Sequence, residues 1–216
     1  MAKSSTIAPA RSRVNDPEKT RADILAVATS HFAEKGLSGA RVDEIAELTN
    51  TSKRMIYYYF ESKQGLFLAV LERAYMGIRR IETEMDLDVL PASEALAAIV
   101  RFTFDYHFEH PEFARLVSIE NIHKAENLRQ IPGIRQHNAA AIEKLTGLLA
   151  RGVQTGEFRQ GLDPVQLHWM ISAFAVFNVS NDATFSYLYD RDGSQPDVHL
   201  ARREAVTETV LTWCRR

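Results

Sequence analysis

A chain of 216 residues, 45% apolar and 25% charged, has ordinary globular composition and the length for a sizeable core, in one large domain or a small one joined to a larger. A single cysteine, Cys214, excludes an intrachain disulfide framework and fits a reducing compartment. With no signal-like start and no run of the ~18 apolar residues a membrane span needs, the sequence predicts a soluble cytoplasmic protein without a membrane partner. A net charge of −2 excludes a protein that coats nucleic acid by bulk charge. The distribution matters more: residues 1–65 carry ten Lys and Arg against eight Asp and Glu, the remainder sixteen against twenty.

In chain order, residues 1–17 are polar and aperiodic, with Lys3, Arg11 and Arg13, and predict an arm outside the packed fold that can reach phosphates or a minor groove, or simply be solvated. From Pro17 to Lys35, Ile24, Leu25, Ala28, Phe32 and Ala33 fall at helical spacing, and Gly36 is the stop. Asp43–Leu48 predict a short second helix, Thr49-Asn50-Thr51 a turn, and Ser52–Phe60 a third helix. Ser62 can cap a fourth, running to about Glu84 through Leu66, Phe67, Val70, Leu71, Ala74, Ile78 and Ile81. Further helices are predicted at 92–110, 112–124, 132–155, 164–188 and 198–215, broken at Pro91, Pro111, Pro132, Gly156 to Pro164 and Gly193 to Pro196. With no strand pattern, the expected fold is all-α: a helix-turn-helix domain over residues 18–65 and a larger helical ligand-binding and dimerisation domain over 66–216.

Helix, tight turn and helix over Val42–Phe60 is the geometry that lays a second helix in the DNA major groove. The turn needs a residue tolerant of a left-handed backbone, and Asn50 is the best choice after glycine. Ile56 and Phe60 share the inward face of the third helix. Ser52, Lys53 and Arg54 then stand at its N-terminus, where N–H groups meet phosphates and where Lys and Arg reach guanine O6 and N7. Periodicity assigns Tyr57 mainly to packing, and Tyr58 and Tyr59 to sugar and phosphate contacts. Lys63 can clamp a phosphate at the start of the fourth helix.

The stretch Thr20-Arg21-Ala22-Asp23-Ile24-Leu25-Ala26-Val27-Ala28, then Phe32-Ala33-Glu34-Lys35-Gly36, Asp43-Glu44-Ile45-Ala46, Ser52, Ile56-Tyr57-Tyr58-Tyr59-Phe60 and Ser62-Lys63-Gln64-Gly65-Leu66-Phe67 closely resembles the N-terminal pattern of the TetR family of bacterial repressors. It departs in Asn50, where glycine is usual, and Tyr59, where histidine is frequent; both bear on operator choice. The resemblance implies DNA contacts from Lys53, Tyr57, Tyr58, Tyr59 and Lys63, with Thr20 and Arg41 near the backbone, and so disagrees with periodicity over Tyr57. It implies that residues 75–216 build a ligand cavity and a homodimer interface, on a double-stranded, pseudo-palindromic operator, and that a small molecule relieves repression.

Gln166–Tyr189 is apolar on more than one face, as expected of a helix buried against a second copy; Trp169, Phe174 and Phe177 there, with Val206, Val210 and Trp213, are the candidate interface. Candidate ligand contacts are Tyr106, His107, Arg115, Asn121, His123, His168, Asn178 and Asn181, a set of Arg, His and aromatic residues suited to an aromatic or heterocyclic carboxylate. No cofactor is expected. One rival reading places a metal on His107, His110, Glu120 and His123, making an enzyme or metal sensor; the spacing lacks the His-Glu-x-x-His pattern, no cysteine is near, and no catalytic motif occurs. A helical interaction protein that has lost DNA binding is another, opposed by the basic, tyrosine-rich third helix.

Overall fold

The computed structural model describes residues 16–215, so residues 1–15 of the proposed arm lie outside the described residues. Ten α-helices and one 3₁₀ turn are described, with no strand among those residues beyond an isolated bridge between Phe158 and Arg215. Helix α1 (Pro17–Gly39) starts at Pro17, as the apolar spacing placed it: the Asp16 carboxylate accepts from the Glu18 and Lys19 N–H groups at 3.1 and 3.2 Å, and Pro17 opens the helix. Gly36, at φ 67°, breaks it where the stop was expected, and one further turn follows.

Helices α2 (Val42–Leu48), α3 (Lys53–Phe60) and α4 (Lys63–Glu84) complete the head. Its core joins Ile24, Phe32, Ile45, Ile56, Phe60 and Phe67. Helix α4 continues out of the head into the body, where Lys144 caps its C-terminus by donating to the Glu82 and Met85 carbonyls, 2.6 Å each.

The body comprises α5 (Ala92–Glu109), α6 (Pro111–Ile122), a 3₁₀ turn (Leu128–Gln130), α7 (Ile134–Thr155), α8 (Pro164–Ser180), α9 (Asp182–Tyr189) and α10 (Pro196–Cys214). Pro111, Pro164 and Pro196 are first residues of helices, because a missing N–H costs nothing in a first turn. Helix α5 lies centrally, packed on α7, α8 and α10, around Leu96, Val100, Leu148, Phe158, Leu167 and Val210. Its N-terminus is capped across the chain by Glu157, which accepts from the Ala92 and Ser93 N–H groups at 3.2 and 2.9 Å. These bonds, with the Ser93 and Thr155 hydroxyls, hold the carboxyl at about 2.

The single helix predicted over 164–188 is two. Helix α8 ends at Asn181, and Asp182 opens α9 with its carboxylate drawn to Arg202 at 3.4 Å; side chains of this kind offer the backbone alternatives to helix.

A DNA-reading head and a polar cluster in the body

The turn between α2 and α3 is a Schellman motif. Asn50 is left-handed at φ 49°, the Thr51 N–H reaches the Ala46 carbonyl at 3.0 Å and the Asn50 N–H that of Glu47 at 3.2 Å. Ser52 then caps α3 by accepting from the Met55 N–H at 3.2 Å. The next turn is tighter: Ser62 caps α4 at Gly65, and a Cβ on Gly65 would lie 2.1 Å from the Phe60 carbonyl oxygen. Two short-range caps thus fix α3 between α2 and α4.

Ser52, Lys53 and Arg54 are exposed at the start of α3. Lys53 rests 3.1 Å from Asp43, an exposed pair weak enough to be exchanged for a phosphate or a base. Lys63 donates to the Ser38 carbonyl at 3.1 Å, Arg41 is exposed beside Glu44, and the half-buried Thr20 hydroxyl donates to the Asp16 carbonyl at 2.9 Å. The structure exposes Tyr58 as periodicity expected and exchanges Tyr57 and Tyr59. Tyr58 is 76% exposed and Tyr57 38%, whereas Tyr59 is the one packed against the head core. Tyr59 lies three residues from Ile56, on its face; Tyr57 is one residue on, about 100° round the helix.

In the body, the proposed ligand residues separate into three places. Tyr106 and His107 are ring neighbours at 6.1 Å, and they and His168 feel the charge of Arg79, which the sequence reading did not single out. His107 is buried, its Nδ1 donating to the Thr103 carbonyl at 2.8 Å, and burial lowers its pKa. His168 is pushed down to about 4 by burial, helped by the charges of Arg79 and His107. The Tyr106 phenol is raised by burial. Arg79 itself pairs with Glu82, whose carboxyl burial raises, and donates to the Asn138 side chain at 3.1 Å. The one available signal in sequence was an Arg–Glu pair at i, i+3, with Arg79 one turn beyond Tyr75 on α4.

Asn178 and Asn181 lie elsewhere, in a cavity of ≈ 270 Å³ shared with Phe104, Phe174, Phe177 and Phe185, and the Asn178 amide oxygen already accepts from Arg202 at 3.1 Å. Arg115, Asn121 and His123 are exposed, with the Asn121 amide spent on the Val117 carbonyl, which corrects their assignment to an interior. The metal reading fails as well: among the described residues no group of three candidate ligands comes together. Glu120 is buried accepting from the Asn127 amide and the Leu128 N–H at 2.9 and 3.0 Å, and His110 faces Glu112 at 3.3 Å.

Trp169 and Phe177 on α8 are 69% and 53% exposed, Phe174 less so, and α9 adds Phe185, Tyr187, Leu188 and Tyr189. Large apolar side chains exposed in this number on two consecutive helices mark an interaction surface. Val206 is half-buried and Trp213 lies under the Arg159 guanidinium at 4.7 Å. Val210 is fully buried within its own subunit, a core residue rather than an interface one. Cys214 is buried too, its thiol pushed up to about 11, and makes a poor nucleophile. No described helix is long and apolar enough to cross a membrane.

A helix-turn-helix with a basic, tyrosine-lined reading helix, joined through one long helix to a helical body, defines the class of DNA-binding transcriptional regulators. Residues 24–70 match the model described as bacterial regulatory proteins, tetR family, and residues 93–210 that described as tetracyclin repressor-like, C-terminal domain. The chain belongs to the TetR family of transcriptional regulators. It is 33% identical over 174 residues to the HTH-type transcriptional repressor NicS of Pseudomonas putida, covering 81% of this chain and 82% of that protein. It is 29% identical over 150 residues to the HTH-type transcriptional regulator RutR of Escherichia coli K12, 69% of each. Among solved structures, the putative transcriptional regulator SCO4942 of Streptomyces coelicolor superposes with a TM-score of 0.70 at 28% identity, covering 90% of this chain and 98% of that one.

Proposed function

We propose that this regulator is a cytoplasmic repressor that binds a pseudo-palindromic operator as a homodimer and is released by a small organic anion held near Arg79. The exposed Lys53, Arg54 and Tyr58 on α3 carry the DNA reading. Two copies related by a two-fold axis set their α3 helices in successive major grooves about 34–36 Å apart. Ser52, Lys53 and Arg54 supply base and phosphate contacts; Tyr57, Tyr58, Lys63, Arg41 and Thr20 lie along the backbone. The repressing sign is supported by the name of the Pseudomonas relative. The homodimer is supported by the apolar face of α8 and α9, with Trp169, Phe174, Phe177, Val206 and Trp213 at or beside it.

The effector class is an aromatic or heterocyclic carboxylate. Arg79, which the ligand carboxylate would share with Glu82, supplies the charge, His107 and His168 supply neutral imidazoles that hydrogen-bond without adding a competing positive charge, and Tyr106 supplies a flat wall. The experiment is selection of bound sequences from random DNA by the full-length protein, followed by titration of a panel of such acids into the protein–operator complex. A palindromic motif, released by acids and not by cationic compounds, is the expected result. No enriched motif sinks the operator reading, and release only by long-chain or cationic compounds sinks the effector class. Lys53→Ala is expected to weaken operator binding about tenfold, read by fluorescence anisotropy at several salt concentrations.

A further inference from the structure

A cavity of ≈ 830 Å³ opens at the junction of head and body; it shares the Tyr106 wall with the Arg79 cluster, but its lining includes neither Arg79, His107 nor His168. Four helices wall it. On α4, Arg73, Met76, Gly77 and Arg80 stand at i, i+3, i+4 and i+7, a single stripe along two turns. That stripe faces Ser30 and its neighbours on α1, and Tyr106 and Phe113 close the far side.

The floor is apolar and shaped. Met76 is 40% exposed, a large apolar side chain without full cover. A Cβ at Gly77 would stand 3.0 Å from the Tyr106 hydroxyl, so the absent side chain lets that tyrosine lie close on α4. Phe113 packs edge-on against Tyr75 at 5.3 Å and Tyr106 at 6.2 Å. The rim is cationic. Arg80 has only Glu84 near it, at 3.8 Å with side chains 77% and 67% exposed, a pair too loose to hold its charge. Arg73 donates one N–H to the Ala22 carbonyl at 3.1 Å, which orients the guanidinium without neutralising it. Glu112, also on the rim, is held by the His110 ring at 3.3 Å, and the two arginines outnumber this one lining carboxylate.

We propose that this junction cavity is a second ligand site, which takes a small amphipathic carboxylate with its apolar body on Met76, Phe113 and Tyr106 and its charge on Arg80 and Arg73. The volume falls within the range of small-molecule sites, and an apolar floor with one charged edge orients such a ligand in a single sense. Its occupant touches α1 of the head, α5 and α6 of the body and the α4 helix shared by both. Its affinity therefore depends on the inclination of the head, and occupancy shifts operator affinity by the ratio of its affinities for the two inclinations.

The test titrates octanoate into the full-length protein by calorimetry, with octanol as the neutral counterpart. The variants are Arg80→Glu, which reverses one rim charge, Ser30→Trp, which fills the cavity from an exposed position, and His168→Phe, which alters only the other cluster. Saturable binding weakened about tenfold or more by Arg80→Glu and by Ser30→Trp, and unchanged by His168→Phe, is the expected result. No binding, equal binding of octanol, or insensitivity to both junction variants overturns the site. Loss on His168→Phe alone places octanoate at the Arg79 cluster and overturns it too, leaving the effector reading intact. Operator affinity that stays unmoved at saturating octanoate overturns the coupling.

Discussion

Three adjacent tyrosines show what a single residue's phase decides. Ile56 and Phe60 fix the inward face of α3, so Tyr59 packs on the core and Tyr58 projects to solvent. Tyr59→Ala is expected to destabilise the protein by about 3 kcal/mol or less, since the ring is only half-buried, and Tyr58→Phe to leave its melting unchanged while weakening operator binding. Equal effects of the two on denaturant midpoints would contradict that placement. Gly65→Ala forces a methyl against the Phe60 carbonyl, and about 1–3 kcal/mol of destabilisation is expected in urea unfolding. For His168, whose folded value is lowered from 6.5 to about 4, the unfolded chain binds a proton that the folded one refuses. Its contribution to stability is complete above pH 6.5 and is lost as pH falls towards 4. His168→Phe should flatten the decline of the urea midpoint across that window, and an unaltered decline would show the imidazole to be solvated.

At the scale of elements, the Ser62 cap and the left-handed Asn50 turn were legible because their causes are local; the Asp16 and Ser52 caps, which the sequence reading did not single out, act over the same three residues. The break between α8 and α9 was missed although Ser180-Asn181-Asp182 interrupts the apolar run: apolar residues resume at Phe185, and the partner of the Asp182 carboxylate is Arg202, twenty residues further along the chain. Tyr187, Leu188 and Tyr189 on α9 are exposed, as are Trp169 and Phe177 on α8. Trp169→Glu combined with Phe177→Glu should yield a monomer by sedimentation, and fold should survive because both side chains lie outside the subunit's core. A dimer that persists would move the interface elsewhere.

Over the whole molecule, the body contributes to the head's core rather than meeting it at a linker. Leu116, Ile131 and Ile134 from the body complete the head cluster, Gln64 donates to Gln130 at 3.2 Å, and the buried Glu120 holds the intervening loop. Ile131→Ala should cost about 2–5 kcal/mol in denaturant unfolding and reduce the effect of any effector on operator affinity. A variant as stable as the parent would exclude that packing. The sequence by itself determined the all-α class, the helix-turn-helix and its basic reading helix, since helical period, capping and turn chemistry act within a few residues. Only the tertiary structure decided that the charge of Arg79 reaches Tyr106, His107 and His168, that Arg115, Asn121 and His123 face solvent, and that Val210 is core. Each of those depends on which helix packs against which, and that is settled by contacts far apart in the chain.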